Sequence, residues 1–185
     1  MGAYCLKPGD QNQELAFKLF SILGRMEGCN TMDDYEQLTV ETIATLVEYI
    51  SYFESNDKIY DLTKEPSLDP YLYHEKANQF IDLLYEKNVI LSFDWGNWGE
   101  EAEKYFNSPD LIKNADLITI RKLFTTIVRA DRFVSGYYAG KKDDGTIVRL
   151  LMRLKLIIEE MGGLGYDEVI QYEVDLAEKT VFPLR

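Results

Sequence analysis

The chain has 185 residues, 46% of them hydrophobic and 28% charged, enough for one ordinary domain with a sizeable core. Its net charge of −12 argues against a nucleic-acid or anionic-membrane binder, because affinity for such surfaces comes from neutralising phosphates. A single histidine, His74, and two cysteines, Cys5 and Cys29, leave no set for a multi-histidine, four-cysteine or disulfide framework, so no metal and no cofactor is expected.

In chain order, Leu15, Leu19, Ile22, Leu23 and Met26 recur at helical spacing, followed by a polar, acidic connector from Cys29 to Gln37. Residues 1–38 are therefore expected to form a helical extension. Thr39 is a fair N-cap for a helix whose stripe is Val40, Ile43, Leu46, Val47, Ile50 and Phe53, ended by Ser55-Asn56-Asp57. Residues 56–68 suit a loop, with Lys58 to Leu62 able to pair as a short strand. Asp69 followed by Pro70 is the N-cap and first-turn signal of a helix carrying Tyr73, Ala77, Phe80, Ile81 and Leu84, closed by Asn88 in a left-handed C-cap. Val89-Ile90-Leu91 is too short for a helix and reads as a buried strand or connector.

Asp94 is placed to cap a helix through Trp98, Ala102, Tyr105 and Phe106; Ser108-Pro109 starts a short one. Asp116 opens a longer helix reaching Arg129 or beyond. After the turn Asp143-Asp144-Gly145, Thr146 starts a final helix with the stripe Ile147, Leu150, Leu151, Leu154, Ile157, Ile158 and Met161, stopped by Gly162-Gly163. The fold class that follows is mainly α: a single-domain multi-helix bundle of about seven helices, with room for one or two short strands. Residues 39–163 form its core, and 164–185 a tail packed upon it. No apolar run is long enough for a membrane helix and no secretory leader is evident, so the expected location is cytoplasmic.

Charge is unevenly placed. Residues 111–155 carry ten basic and four acidic side chains in a chain that is otherwise strongly acidic. On a wheel of about 100° per residue, Arg121, Arg132, Thr125, Arg129 and Lys122 share one side of the helix from Asp116, opposite Leu117, Ile120, Leu123, Phe124, Ile127 and Val128. Guanidinium groups in such a stripe match carboxylate and phosphate; equally, they suit a solvated face or pairing with the acidic stretch before them. Asp131 projects into the apolar arc, where an ionised carboxylate needs a partner, with Arg129 or Arg132 the local choice.

The residues Phe93-Asp94-Trp95, Ala115-Asp116-Leu117, Arg121-Lys122-Leu123, Thr125-Thr126, Val128-Arg129, Asp131-Arg132-Phe133, Gly136 and Gly145 resemble a prokaryotic family catalogued only as a domain of unknown function. The resemblance is specific from Phe93 to about Leu156 and extends more weakly back to Leu46, where Tyr52-Phe53 and Phe80-Ile81-Leu84-Tyr85 fit. Ile127 stands where many relatives have histidine, and Tyr137-Tyr138 where relatives have His-Leu. The resemblance supplies no activity or cofactor; it implies that the arginine and Asp-Trp segments belong to one unit.

The expected function is a binding module without cofactor. Arg121, Arg129 and Arg132, beside Trp95 and Trp98, would recognise an acidic partner segment or a small anionic ligand. The rival is a metal-independent enzyme on an anionic substrate, with Asp131 or Asp94 as general acid or base; Asp94 also suits helix capping and the tryptophans core packing. Tyrosine-rich and leucine-rich faces allow a homodimer. The glycines from Gly162 to Gly165 terminate a helix rather than cradle phosphate.

Overall fold

A computed structural model describes residues 38–64 and 70–162 of the chain. The expected N-terminal extension and C-terminal tail lie outside the described residues. The elements run α1 (Val40–Val47), α2 (Ile50–Glu54), β1 (Tyr60–Leu62), β2 (Tyr71–Tyr73), α3 (Glu75–Glu86), α4 (Gly99–Phe106), α5 (Pro109–Lys113), α6 (Leu117–Asp131), α7 (Tyr137–Asp143) and α8 (Thr146–Gly162). This is the mainly helical class the periodicity predicts, with one small sheet.

Thr39 caps α1 by accepting the Thr42 N–H at 3.1 Å. The single helix expected from Thr39 to Phe53 is instead two segments, interrupted by turn residues Glu48 and Tyr49. The bonds Tyr49 N–H to Leu46 O and Phe53 N–H to Tyr49 O carry the chain through that turn, so both segments keep their apolar faces inward. α1 lies along α8.

The helix expected at Pro70 begins only at Glu75, with His74 in the N-cap position. Tyr71, Leu72 and Tyr73 instead form a strand antiparallel to β1, in the register Tyr60 to Tyr73, Asp61 to Leu72 and Leu62 to Tyr71. Aromatic side chains favour the pleated pairing over a helical first turn: the Tyr60 and Tyr71 rings lie 4.7 Å apart, and the Tyr73 ring packs 5.1 Å from that of Tyr138. Those contacts outweigh a local proline signal.

α6 occupies the centre, with α4, α7 and α8 packed against it. Asp116 caps it as expected, accepting the Thr119 N–H at 2.7 Å. The core gathers Ile120, Leu123, Phe124 and Ile127 of α6 with Ile43, Leu46, Phe53, Phe80, Leu84, Tyr138, Ile147, Leu150, Leu151 and Leu154. Burying side chains of this size contributes about 1.5–3 kcal/mol each, which is what holds these short helices together. α7 has no counterpart among the sequence expectations; it is entered through Gly136 and left through Gly145, both at φ +76°. Among the described residues, no helix is long and apolar enough to cross a membrane.

Candidate functional site

The arginine segment folds as the helix the wheel requires, and Arg121, Thr125 and Arg129 do share one side of it. That side is not open to solvent. It grips the backbone of the connector between α3 and α4. Arg121 is 4% exposed; its Nε donates to the Val89 carbonyl at 3.3 Å and its Nη2 to the Asn88 carbonyl at 2.5 Å. Thr125 Oγ1 accepts the Leu91 N–H at 2.9 Å while donating to the Arg121 carbonyl at 2.8 Å. Arg129 Nη2 donates to the Leu91 carbonyl at 3.0 Å.

Three successive turns of α6 thus satisfy the peptide groups of a segment with no strand or helix of its own. Val89 and Leu91 are buried, so these backbone groups cannot reach water and an unpaired one would be costly. Asn88, at φ 53°, makes the left-handed exit from α3 that the sequence indicates. The buried-connector expectation for Val89-Ile90-Leu91 therefore holds, and it accounts for two of the three arginines in the stripe.

The remaining cations divide by environment. Lys122 Nζ lies 5.6 Å from the Phe93 ring centre and 5.8 Å from that of Trp98. Lys141 sits over Phe106 at 4.2 Å and Tyr137 at 5.1 Å. Lys142, buried, donates to the Asp57 carbonyl at 2.7 Å. Arg153 donates to the Ala115 carbonyl at 2.8 Å and grips Glu160 two turns along α8, at 2.6 and 3.3 Å. The basic segment is largely internal wiring, which is why its charge does not form a continuous positive face.

Arg132 differs. At the exposed C-terminal end of α6 it donates to the Tyr85 hydroxyl at 2.7 Å, with its guanidinium carbon 5.7 Å from the centre of the same ring. The next residues, Phe133 and Val134, are 78% and 56% exposed, and the Phe133 ring stacks on Trp95 at 5.9 Å and 30°. Trp95 is thus in contact with the residue that follows Arg132 in the chain. Trp98 is drawn away, packing against Phe93 at 5.8 Å and Tyr105 at 6.4 Å.

The loop that displays Phe133 is tightly bonded. The N–H groups of Phe133 and Val134 both donate to the Ala130 carbonyl, at 2.9 and 2.8 Å, and the Tyr137 N–H donates to the Val134 carbonyl at 3.0 Å. Asp131 accepts the Tyr138 N–H and the Tyr73 hydroxyl, each at 2.8 Å. Its carboxylate ties the end of α6 to the start of α7 and to β2. Gly136 closes the loop against the Tyr71 ring, whose atoms lie 2.3 to 2.7 Å from where a Cβ would stand.

Asp94 does not open α4, which begins at Gly99. It caps the preceding turn, accepting the Asn97 N–H at 3.2 Å and the Asn97 side-chain amide at 2.6 Å. Both aspartates therefore fix local chain geometry. His74 is exposed, 3.4 Å from Asp61. Among the described residues, no group of three or more His, Cys, Asp or Glu side chains is placed to hold a metal ion.

Tyr137 and Tyr138, which the sequence marks only as a departure from the family pattern, carry perturbed hydroxyls. Burial raises the Tyr137 pKa, reinforced by its hydrogen bond to Glu103 at 2.8 Å. Burial also pushes Tyr138 well above the ordinary phenol range, with Tyr52, Tyr73 and Asp131 adding to the effect. Phe133 and Tyr85 were visible in the sequence only as parts of the family pattern. The available signal was an aromatic residue placed just past the end of a buried helix, where a loop would expose it.

Residues 38–160 match a family of unknown function (DUF6508). No curated protein and no solved structure matches the chain.

Proposed function

The chain belongs to this family of unknown function, and we propose that it is a binding module that docks an acidic segment of a partner protein at the exposed corner following α6. The observation that carries this reading is Phe133, 78% exposed and stacked on Trp95, next in the chain to a guanidinium lying over Tyr85. Tryptophan, tyrosine and arginine are the residue types that concentrate binding energy in protein interfaces. Exposed aromatic surface held by a rigid loop loses little entropy on docking.

The cation at the corner gives the partner its sign. Arg132 is anchored through one amino group to Tyr85, leaving the guanidinium in a position to meet a carboxylate. A peptide segment with an acidic residue beside an apolar one fits better than a small anion, because Arg121 and Arg129 hold backbone carbonyls of the connector. For the same reason charge reversal at Arg129 would damage the connector, so Arg132 and Phe133 are the informative positions.

The test is selection from a displayed random-peptide library on the full chain. Peptides pairing Asp or Glu with Leu, Phe or Trp should be enriched, and both Arg132→Glu and Phe133→Ser should remove the enrichment without lowering the thermal midpoint. Trp95 gives a second readout, since occupation of the corner shifts its emission. Failure to enrich acidic-apolar peptides, or enrichment indifferent to both substitutions, would refute the proposal.

A further inference from the structure

α8 is apolar on more than the face it buries. Ile147, Leu150, Leu151, Leu154 and Ile157 are buried in the core, and Arg153 is held beside them by the Ala115 carbonyl. Met152 and Leu156 are 39% and 44% exposed. Their four-residue spacing stacks them one turn apart on a single side of the helix. Val148, partly buried, stands one turn earlier in the same row. A surface helix ordinarily turns polar side chains outward; the outer row of α8 is instead three apolar residues, about 12 Å from first to last.

The chain itself carries a matching element. Leu15, Leu19, Ile22, Leu23 and Met26 fall on one side of a helical wheel, a stripe about 17 Å long. From these two rows we infer that the outer face of α8 is a docking surface for the segment Leu15–Met26 of the same chain, laid against Val148, Met152 and Leu156.

The tether selects this occupant. Leu38 is buried at the start of α1, and α1 lies along α8, so the segment is joined to the fold beside the helix it would cover. Residues 27–37 separate Met26 from Leu38. Extended, they reach about 36–40 Å, more than the 25 Å or so that the 17 residues of α8 occupy. Joined in this way, the segment is present at a high effective concentration that no separate partner shares.

Thiol labelling of the full chain tests the inference. In a background carrying Cys5→Ser and Cys29→Ser, Leu156→Cys places a single thiol on the outer row. With the segment docked, that thiol should react with iodoacetamide about tenfold or more slowly than one placed by Ser92→Cys at an exposed loop position. Adding Leu19→Asp or Leu23→Asp should bring the two rates together, and Ser21→Asp, off the stripe, should not. The protection should be the same at every protein concentration.

Ile147→Cys reports on the core, since Ile147 is fully buried; its thiol should stay closed in every variant. Should Leu19→Asp open that thiol as well, the milder Leu19→Gln and Leu23→Gln should release Leu156→Cys alone. Fast labelling at Leu156→Cys in the unaltered segment overturns the inference. Protection indifferent to Leu19→Asp and Leu23→Asp does the same, assigning the cover to residues after α8. Protection that disappears on dilution also overturns it, assigning the cover to a second copy.

Discussion

Replacing Gly136 by alanine probes the joint on which the exposed corner depends. The residue sits at φ +76°, a conformation that costs an L side chain about 1–2 kcal/mol. The added Cβ would also lie 2.3 Å from Cζ, 2.5 Å from Cε2 and 2.7 Å from Cε1 of Tyr71. That ring cannot retreat freely, because it packs 4.7 Å from Tyr60 and 6.4 Å from Tyr73, and forced repacking of this kind costs about 1–3 kcal/mol. The expected loss is about 2–5 kcal/mol, or roughly 8–20 °C in the thermal midpoint at about 4 °C per kcal/mol.

Urea unfolding followed by circular dichroism measures the loss, and two comparisons make it diagnostic. Gly145→Ala shares φ +76° but meets only the flexible end of Arg149, at 3.2 Å, so it should lose little beyond the backbone cost of about 1–2 kcal/mol. In the background of Tyr71→Ala the steric part of the Gly136→Ala effect should vanish, producing a coupling of about 1 kcal/mol or more. A Gly136→Ala loss under about 1 kcal/mol, or strict additivity with Tyr71→Ala, would refute the steric reasoning.

Thr125→Val keeps the shape of the side chain but strands the Leu91 N–H, and should cost about 1–3 kcal/mol; amide exchange at Leu91 should accelerate selectively. Tyr137 and Tyr138 have pKa values raised in the fold, so the folded state holds phenolic protons that the unfolded chain releases near pH 10. Their contribution is complete below that pH and is lost as pH rises beyond it. Stability should therefore fall above about pH 10, and Tyr137→Phe should flatten part of that fall.

The helices with strong caps were legible from the chain alone. Asp116 and Thr39 mark helix starts that the structure uses, because each accepts the amide three residues on; Ser108-Pro109 also marks a start, through the proline in the first turn rather than a side-chain capping bond. The start near Pro70 was misplaced, since Tyr71 and Tyr73 are claimed by Tyr60 and Tyr138 across the fold. α7 was missed because it is short, contains Gly140 and buries a lysine through the carbonyl of Asp57. The wheel grouped Arg121, Thr125 and Arg129 on the correct side of α6. What it could not reveal is that their partners are peptide carbonyls and an amide, which no residue letter encodes. Of the corner itself, Trp95 and Arg132 were identifiable; their link through Phe133 joins positions far apart in the chain.

The grip of α6 on the connector also changes where mutations should be tolerated. Because the helix binds peptide groups from Asn88 to Leu91, much of the information for that path resides in the helix rather than in the segment following it. Exposed Ser92, just beyond the gripped groups, should accept exchange freely, and Val89 and Leu91 should accept any side chain of similar bulk. Arg121 and Thr125 should accept almost none. An irregular stretch of chain is thereby held to one course by a template whose spelling lies some thirty residues downstream.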